Sequence, residues 1–267
     1  MNRSSRPPVV LSIAGSDSGG GAGIQADLKA FAAAGVYGTT AITAITAQNT
    51  LGVSAIHPVP PEVIVAQVRA VAADIGVDAV KVGMLGDTAT IGAVEQALAG
   101  LGDVPVVVDP VMVSESGAVL LSEDARLALI ERILPLASVA TPNLPEALAL
   151  AGVEDDAPTS IEELARAVKE LGPDAVVLTG GHTDDGADLV VVAGDVSTLL
   201  EGPRHPDGAA HGSGCTHSSS LAAHLARGEG VVEAARLARA AASTAVRQGL
   251  REIGSGAGPV DVLGIRE

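Results

Sequence analysis

The chain contains a single cysteine, Cys215, within the stretch HGSGCTHSS at residues 211–219. Gly212, Ser213 and Gly214 precede it, and an Ala/Leu-rich segment that reads as a helix follows. Backbone N–H groups at a helix N-terminus point outward and favour an anion. The helix dipole is also expected to lower the pKa of the thiol below its free value of about 8.5. The stretch therefore predicts an anion hole with a thiol that acts as base or nucleophile, and a tight structural turn is the alternative.

Polar residues follow several short apolar runs of the sequence. Asp109 lies in VVVDPVM, and Asn143 and Glu146 lie in TPNLPE after the next run. Two carboxylates at neighbouring strand ends are suitable ligands for Mg²⁺, with phosphate oxygens completing the shell. We therefore expect Asp109 and Glu146 to organise Mg²⁺, and an acid in the first turn of a helix is the alternative for Glu146. The tetrapeptide TGGH at 179–182 ends another run, and its glycines permit a nucleotide to approach.

A glycine-rich loop, GSDSGGGAGIQADLK at residues 15–29, follows the first apolar run. Its glycines permit positive φ and close approach of the backbone to a ligand. The spacing is not that of a dinucleotide fingerprint, and the Lys and Ser/Thr of a P-loop are missing from their places. Asp27 and Gln48 supply a carboxylate and an amide near this loop, and the amide of Gln48 can hydrogen-bond a heterocycle. A flexible turn is the alternative for the loop, and a helix-end carboxylate is the alternative for Asp27.

Short apolar runs alternate with amphipathic segments, which predicts strands that alternate with helices. The expected strands are 9–14, 40–47, 79–82, 104–109, 138–140 and 175–178. The clearest helices are 24–34 and 61–74, and Thr159 with Glu162 predicts a capping box for a further helix. Such an alternation produces a mostly parallel sheet with helices on both faces, so the expected fold class is α/β. Residues 187–200 read as a hairpin that adds an antiparallel edge.

The composition predicts a globular, strongly acidic protein. Hydrophobic residues make up 47% and aromatic residues 1% of the 267 residues, so Val, Ala, Leu and Ile must fill the core. The formal net charge of −16 disfavours binding to nucleic acid or to an anionic membrane. A high-salt cytoplasm favours an acidic, lysine-poor surface, and a GC-rich codon bias produces the same composition.

The sequence predicts a cytoplasmic protein built as one domain. No run approaches the roughly 18 apolar residues of a membrane span, and a lone cysteine suits a reducing compartment. No change in composition marks a linker between domains. We therefore expect a flexible N-terminal tail at 1–8 and a single domain at 9–267.

These motifs together resemble the hydroxymethylpyrimidine/phosphomethylpyrimidine kinases of thiamine biosynthesis, in the ribokinase-like superfamily. The resemblance extends from residue 9 to about residue 262 and rests on the blocks IAGSDSGGGAGIQADLK, TAITAQNT, VKVGML, VVVDPVM, TPNLPEA, GGH, HGSGCT and GxGPV. It implies a ribokinase-like α/β kinase domain, a homodimer, and two successive transfers that depend on ATP and Mg²⁺. The first phosphorylates the hydroxymethyl group of 4-amino-5-hydroxymethyl-2-methylpyrimidine, and the second phosphorylates the resulting monophosphate.

The resemblance also implies roles for individual residues. The residues expected to face the pyrimidine are Gly15, Asp27, Gln48, Met84 and Val111. The residues expected to stabilise the transferring phosphoryl group are Gly212, Ser213, Gly214 and Cys215. The residues expected to face ATP are Asn143, Thr179, Gly180 and Gly181. Asp109 and Glu146 are expected to organise Mg²⁺, and Cys215 is expected to take the proton of the alcohol, because sugar kinases of the superfamily have an aspartate base there.

Two departures from the family pattern lie on the expected ATP side. Thr179 stands where the family commonly has lysine, and Ala209 and Ala210 stand where it commonly reads Asn-Thr. Both changes remove polar contacts to the nucleotide and leave a non-catalytic, pyrimidine-binding sensor as one alternative. A vitamin B6 kinase acting on pyridoxal, pyridoxine or pyridoxamine is the other, because such kinases share the fold. Gln48 favours the aminopyrimidine.

Overall fold

The computed structural model describes residues 6–154, 159–180, 188–191, 196–206 and 208–266. The strands in this part of the chain are β1 Val9–Asp17, β2 Tyr37–Asn49, β3 Gly52–Pro58, β4 Ala79–Val82, β5 Val106–Val108, β6 Val139–Ala140, β7 Ala175–Leu178, β8 Asp188–Val191 and β9 Ser197–Leu200. The helices are α1 Gly23–Ala33, α2 Pro61–Asp74, α3 Thr88–Leu98, α4 Glu123–Arg132, α5 Leu144–Ala151, α6 Ile161–Lys169, α7 Ser213–Ala226 and α8 Val231–Arg247. A 3₁₀ turn, Leu134–Leu136, follows α4.

The strands form one sheet in the order β3-β2-β1-β4-β5-β6-β7-β8-β9. Strands β1, β2, β4, β5, β6 and β7 are parallel, whereas β3, β8 and β9 pair antiparallel. The chain leaves β1 toward β2 and then returns to build β4 on the other side of β1. Sheets of this kind bind ligands at the carboxyl ends of the strands where the order reverses. The predicted α/β class and antiparallel edge are confirmed. The strand order reverses at β1, so we expect the site at the carboxyl ends of β1 and β4.

Alternate residues of the central strands pack on opposite faces of the sheet. Val10 and Val107 pack with Phe31 and with α7 and α8 on one face. Val80 and Val108 pack against α2, α3, α4, α5 and α6 on the other. Because both faces are covered, the central strands are continuous apolar runs.

The first described residues are held against the sheet. Both terminal nitrogens of the Arg6 guanidinium donate to the Asp78 carboxylate, at 2.7 and 3.2 Å, and the Val9 N–H donates to it at 2.8 Å. Within the tail expected at 1–8, Arg6 is therefore held by a carboxylate that lies just before β4. Residues 1–5 lie outside the described part of the chain.

The capping box of α6 lies one residue later than predicted. The Ser160 hydroxyl accepts from the Glu163 N–H at 3.2 Å, and the Glu163 carboxylate accepts from the Ser160 N–H at 2.9 Å. The prediction of Thr159 with Glu162 is wrong because the sequence TSIEE satisfies the pattern in two registers. No helix among the described residues is long and apolar enough to cross a membrane.

Candidate active site

A cavity of about 770 Å³ lies at the carboxyl edge of the sheet. This volume suits a small-molecule site. The predicted site residues that line it are Gly15, Gln48, Met84, Asp109, Val111, Asn143, Glu146, Thr179, Gly212, Ser213, Gly214 and Cys215. Residues from both ends of the chain therefore meet in one cavity.

Helix α7 begins at this cavity. Its N-cap, Gly212, has φ +86°, and a Cβ there would lie 1.8 Å from the carbonyl oxygen of Gly21, so only glycine fits. The next three residues, Ser213, Gly214 and Cys215, form the start of the helix and line the cavity. The first N–H groups of a helix have no partner within it, so this end suits an anion.

Three of the residues predicted to face the pyrimidine, Gly15, Gln48 and Met84, lie where β1, β2 and β4 end. A Cβ on Gly15 would lie 3.1 Å from Cε of Met84, so glycine leaves room for the methionine side chain. The Thr46 hydroxyl donates to Oε1 of Gln48 at 3.1 Å, which orients the amide. Val111 adds an apolar contact surface.

Asp27 does not line the cavity. Its side chain is fully buried and accepts hydrogen bonds from the hydroxyls of Ser12 at 2.6 Å and Ser219 at 2.7 Å. The Nζ of Lys81 donates to Oδ1 of Asp27 at 3.0 Å, the same oxygen that accepts from Ser219. The structure therefore places Asp27 beneath the cavity floor, apart from Gly15 and the other residues of the expected pyrimidine group.

Lys81 is a buried cation that the sequence interpretation missed. Its side chain is fully buried in β4, 3.0 Å from Asp27 and 3.7 Å from Asp109. Burial alone lowers the pKa of Lys81, but the charges of Asp27 and Asp109 raise it above its ordinary value. The Ser218 hydroxyl also donates to Asp109, at 2.8 Å. The signal in the sequence was a lysine inside the apolar strand AVKV, whose partner 54 residues away no local pattern reveals.

Asn143 and Glu146 form the capping box of α5. The Asn143 N–H donates to Oε2 of Glu146, and the Glu146 N–H donates to Oδ1 of Asn143, both at 2.9 Å. Burial, followed by the charge of Asp109, raises the pKa of Glu146 to about 8. Burial raises the pKa of Asp109 as well, despite the nearby Lys81. Two carboxylates that repel each other in a buried site suit a cation.

The chemistry of these two acids fits Mg²⁺, a hard cation that prefers oxygen ligands. The described residues contain no group of three His, Cys, Asp or Glu side chains that could hold a metal ion. Asp109 and Glu146 would therefore hold Mg²⁺ with water and phosphate oxygens in the remaining positions, as Mg²⁺ sites commonly do.

The thiol of Cys215 has the opposite pKa shift from the one that the sequence predicts. Burial, together with the charges of Asp109 and Asp27, raises the pKa of Cys215 to about 12. Lys81 and a hydrogen bond from the Gly23 N–H lower it by less. The helix N-terminus is present, but burial, followed by the charges of two carboxylates from other elements, outweighs its effect, so the thiol is protonated at neutral pH without ligands.

The expected ATP side is described in part. The Thr179 N–H donates to the Pro142 carbonyl at 2.9 Å, so Thr179 lies at the cavity beside α5. Gly180 is buried and is absent from the cavity lining, and Gly181 lies outside the described residues. Basic residues that no motif indicated also line this cavity in the described part of the chain: Arg204 and Arg239.

A doubly covered parallel sheet, a helix N-terminus at its carboxyl edge and a pair of buried acids define a small-molecule kinase of the ribokinase-like class. The model of the family described as phosphomethylpyrimidine kinase matches residues 17–261. The chain belongs to this family, whose members are phosphotransferases.

Known proteins extend this similarity over nearly the whole chain. The hydroxymethylpyrimidine/phosphomethylpyrimidine kinase of Haemophilus influenzae is 46% identical over 257 residues, which cover 94% of this chain and 95% of that protein. The crystal structure of phosphomethylpyrimidine kinase from Clostridium difficile has a TM-score of 0.77 and 39% identity, covering 87% of this chain and 96% of the other. An ADP complex of Bacillus subtilis pyridoxal kinase has a TM-score of 0.87 and 35% identity, covering 97% of this chain and 99% of the other.

Proposed function

We propose that this chain transfers a phosphoryl group from ATP to 4-amino-5-hydroxymethyl-2-methylpyrimidine, and then a second one to the monophosphate. Family membership supports the substrate class, because the relative from Haemophilus influenzae is named for both substrates. The observation that carries the proposal is that Cys215, at the N-terminus of α7, shares one cavity with Gly15, Gln48 and Met84.

In this proposal Gly15, Met84 and Val111 form the apolar surface against which the pyrimidine lies. The amide of Gln48, already oriented by Thr46, hydrogen-bonds the polar edge of the ring. The fully buried Asp27 supports the site from below through Lys81.

The anion hole, defined as Gly212, Ser213, Gly214 and Cys215, stabilises negative charge on the transferring phosphoryl group. Cys215, as the thiolate, accepts the proton of the hydroxymethyl group as the oxygen attacks phosphorus and the bond from phosphorus to ADP breaks. Burial and the carboxylates of Asp109 and Asp27 raise the pKa of this thiol, so the base role requires the thiol to lose its proton before the transfer, and positive charge bound beside Asp109 favours that loss.

ATP is the proposed phosphate donor, and Asn143, Thr179, Gly180 and Gly181 are the residues proposed to face it. Mg²⁺, when bound by Asp109 and Glu146, supplies positive charge that neutralises phosphate oxygens. The basic residues Arg204 and Arg239, which also line the cavity, favour a polyphosphate in a protein of net charge −16.

A time course of product formation tests the proposal. Purified protein is incubated with the hydroxymethylpyrimidine, ATP and Mg²⁺, and mass spectrometry resolves the monophosphate and diphosphate. We expect the diphosphate to appear after the monophosphate. Monophosphate alone would restrict the function to the first step. Tight binding of the pyrimidine with no product would favour the non-catalytic sensor instead.

Replacement of the thiol tests the base role. Cys215→Ala should slow the first phosphorylation at least about tenfold more than the second, because the attacking phosphate of the second substrate is already ionised. His224→Ala, in the last turn of the same helix, is a matched control that should leave both rates unchanged. Equal losses of both rates in Cys215→Ala would refute the base role.

A vitamin B6 kinase is the second candidate function. The specific observation in its favour is the similarity to the Bacillus subtilis pyridoxal kinase, at a TM-score of 0.87. We expect kcat/KM to be higher for the hydroxymethylpyrimidine than for pyridoxal, pyridoxine or pyridoxamine, and competition between the substrates in one reaction measures this ratio.

The proposal includes a cytoplasmic homodimer. Exposed apolar side chains at and near the turn between β2 and β3 support an interface there, with 54% of Ile45, 67% of Leu51 and 42% of Ile56 exposed. The free cysteine supports a reducing compartment. Sedimentation velocity measures the assembly, and fractionation of cells measures the location.

A further inference from the structure

Asp17, at the end of β1, accepts hydrogen bonds from a whole loop and from a histidine far along the chain. Its carboxylate accepts from the N–H groups of Gly19 at 2.7 Å, Gly21 at 3.0 Å and Ala22 at 2.9 Å. Nε2 of His211 lies 3.1 Å from Oδ2 of Asp17. Burial alone raises the pKa of Asp17, but the hydrogen bonds from His211, Ala22 and Gly19 lower it overall, so the carboxylate is charged. One buried anion therefore joins residues 194 positions apart.

The glycine loop, defined as residues 17–23, and the anion hole also touch through their backbones. A Cβ on Gly21 would lie 2.2 Å from Cδ2 of His211, and a Cβ on Gly212 would lie 1.8 Å from the Gly21 carbonyl oxygen. Neither position tolerates a side chain. The imidazole therefore packs directly on the glycine loop at the point where the anion hole begins.

The backbone of His211 is fixed from its other side. Its carbonyl accepts from the Val260 N–H at 3.1 Å, and it forms an isolated parallel bridge with Pro259. The side chain is buried, with 7% of the residue exposed. The C-terminal segment therefore holds the main chain of His211, and the hydrogen bond from its imidazole to Asp17 connects the glycine loop to this fixed position.

The glycine loop in turn reaches the reacting thiol. Gly23 is the first residue of α1 and lines the same cavity as Cys215, and the Gly21 carbonyl packs against Gly212, three residues before the thiol. We propose that Asp17 and His211 are positioning residues, which hold the glycine loop against the anion hole and thereby set the position of Cys215 relative to the substrate. The proposal rests on the function proposed above. Neither residue acts as a catalytic residue, because both carboxylate oxygens of Asp17 already accept hydrogen bonds from the loop and the imidazole.

Kinetics of His211 variants test the proposal. A displacement of about 1 Å in an active site costs on the order of 100-fold in rate, so His211→Leu should reduce kcat of the first phosphorylation by about 10- to 100-fold. The KM for ATP should change less than about twofold, because the link lies on the pyrimidine side of the cavity. His211→Gln retains an N–H donor and should recover most of kcat. The matched control is His224→Leu, which should behave as wild type.

A double-mutant cycle with Asp17→Asn tests whether the two residues act as one unit. The Asp17→Asn/His211→Leu protein should be no slower than the slower single variant, because either change breaks the same link. Additive losses would overturn the proposal. Loss of kcat in His211→Gln as large as in His211→Leu would also overturn it, because the ring itself would then be required. If His211→Leu does not fold, His211→Gln and Asp17→Asn carry the test.

Hydrogen exchange separates failure of this proposal from failure of the proposed function. In ligand-free protein, amide exchange within residues 17–23 should accelerate at least about tenfold in His211→Leu and stay near wild type in His211→Gln. Unchanged exchange in His211→Leu would overturn the link, whatever the substrate. Absence of product from wild-type protein, with accelerated exchange in His211→Leu, would instead reject the proposed substrate and retain the link.

Discussion

Removal of the buried cation Lys81 should destabilise the protein more than any surface charge change. In Lys81→Met the carboxylates of Asp27 and Asp109 lose the ammonium group at 3.0 and 3.7 Å and remain buried. Loss of one partner of a buried ion pair costs about 3–5 kcal/mol. We expect a decrease of that size in the free energy of unfolding, measured by urea titration with far-ultraviolet circular dichroism.

Two further variants isolate the charge from the change in shape. Lys81→Met combined with Asp27→Asn should recover part of the loss, because one uncompensated carboxylate is then neutral. Arg166→Met removes an exposed pair with Glu162 and should cost less than about 1 kcal/mol. A loss below about 1 kcal/mol in Lys81→Met would refute the view that these carboxylates are charged and depend on Lys81.

Three other predictions concern the acids and glycines of the site. Burial raises the pKa of Glu146 to about 8, above its value in the unfolded chain. In metal-free protein the protonated Glu146 should therefore contribute its full stabilisation to the folded state below about pH 4.5, and this stabilisation should be lost as the pH rises through about 8. Thermal unfolding in a chelator should therefore show a fall in stability between about pH 5 and pH 9 that Glu146→Gln lacks. Gly212→Ala should lower the urea midpoint and abolish activity, because its Cβ would lie 1.8 Å from a carbonyl oxygen; wild-type activity would contradict this. Gly15→Ala should change the free energy of unfolding by less than about 1 kcal/mol, because the flexible Met84 side chain can move. The same variant should raise the KM for the pyrimidine several-fold in initial-rate measurements. An unchanged KM would show that Gly15 does not contact the pyrimidine.

Local pattern predicted the central strands well, because a buried parallel strand is a short apolar run between polar residues. Strands β4 and β7 have the predicted bounds, 79–82 and 175–178. Strand β3, Gly52–Pro58, was not predicted, because it lies at an exposed edge and has no apolar run. Pairing with β2, not composition, makes it a strand.

Most of the predicted site residues line the cavity, because they follow strands whose carboxyl ends share one edge of the sheet. The charges around these residues were not predicted, because they depend on ion pairs between residues distant in the sequence. Lys81 meets Asp27 from 54 residues away, and Arg6 meets Asp78 from 72. Burial, followed by the charges of Asp109 and Asp27 from distant parts of the chain, raises the pKa of Cys215, so a local argument from the helix N-terminus predicted the wrong direction.

The aromatic content of this core has a practical consequence for spectroscopy. Phe31 is buried, Tyr37 is 54% exposed, and the sequence has no tryptophan. The molecule therefore absorbs weakly in the near ultraviolet and has no indole emission of its own. A tryptophan introduced at Leu120, which lines the cavity, would be the sole indole fluorophore, so its emission would report occupancy of the cavity without background from the rest of the protein.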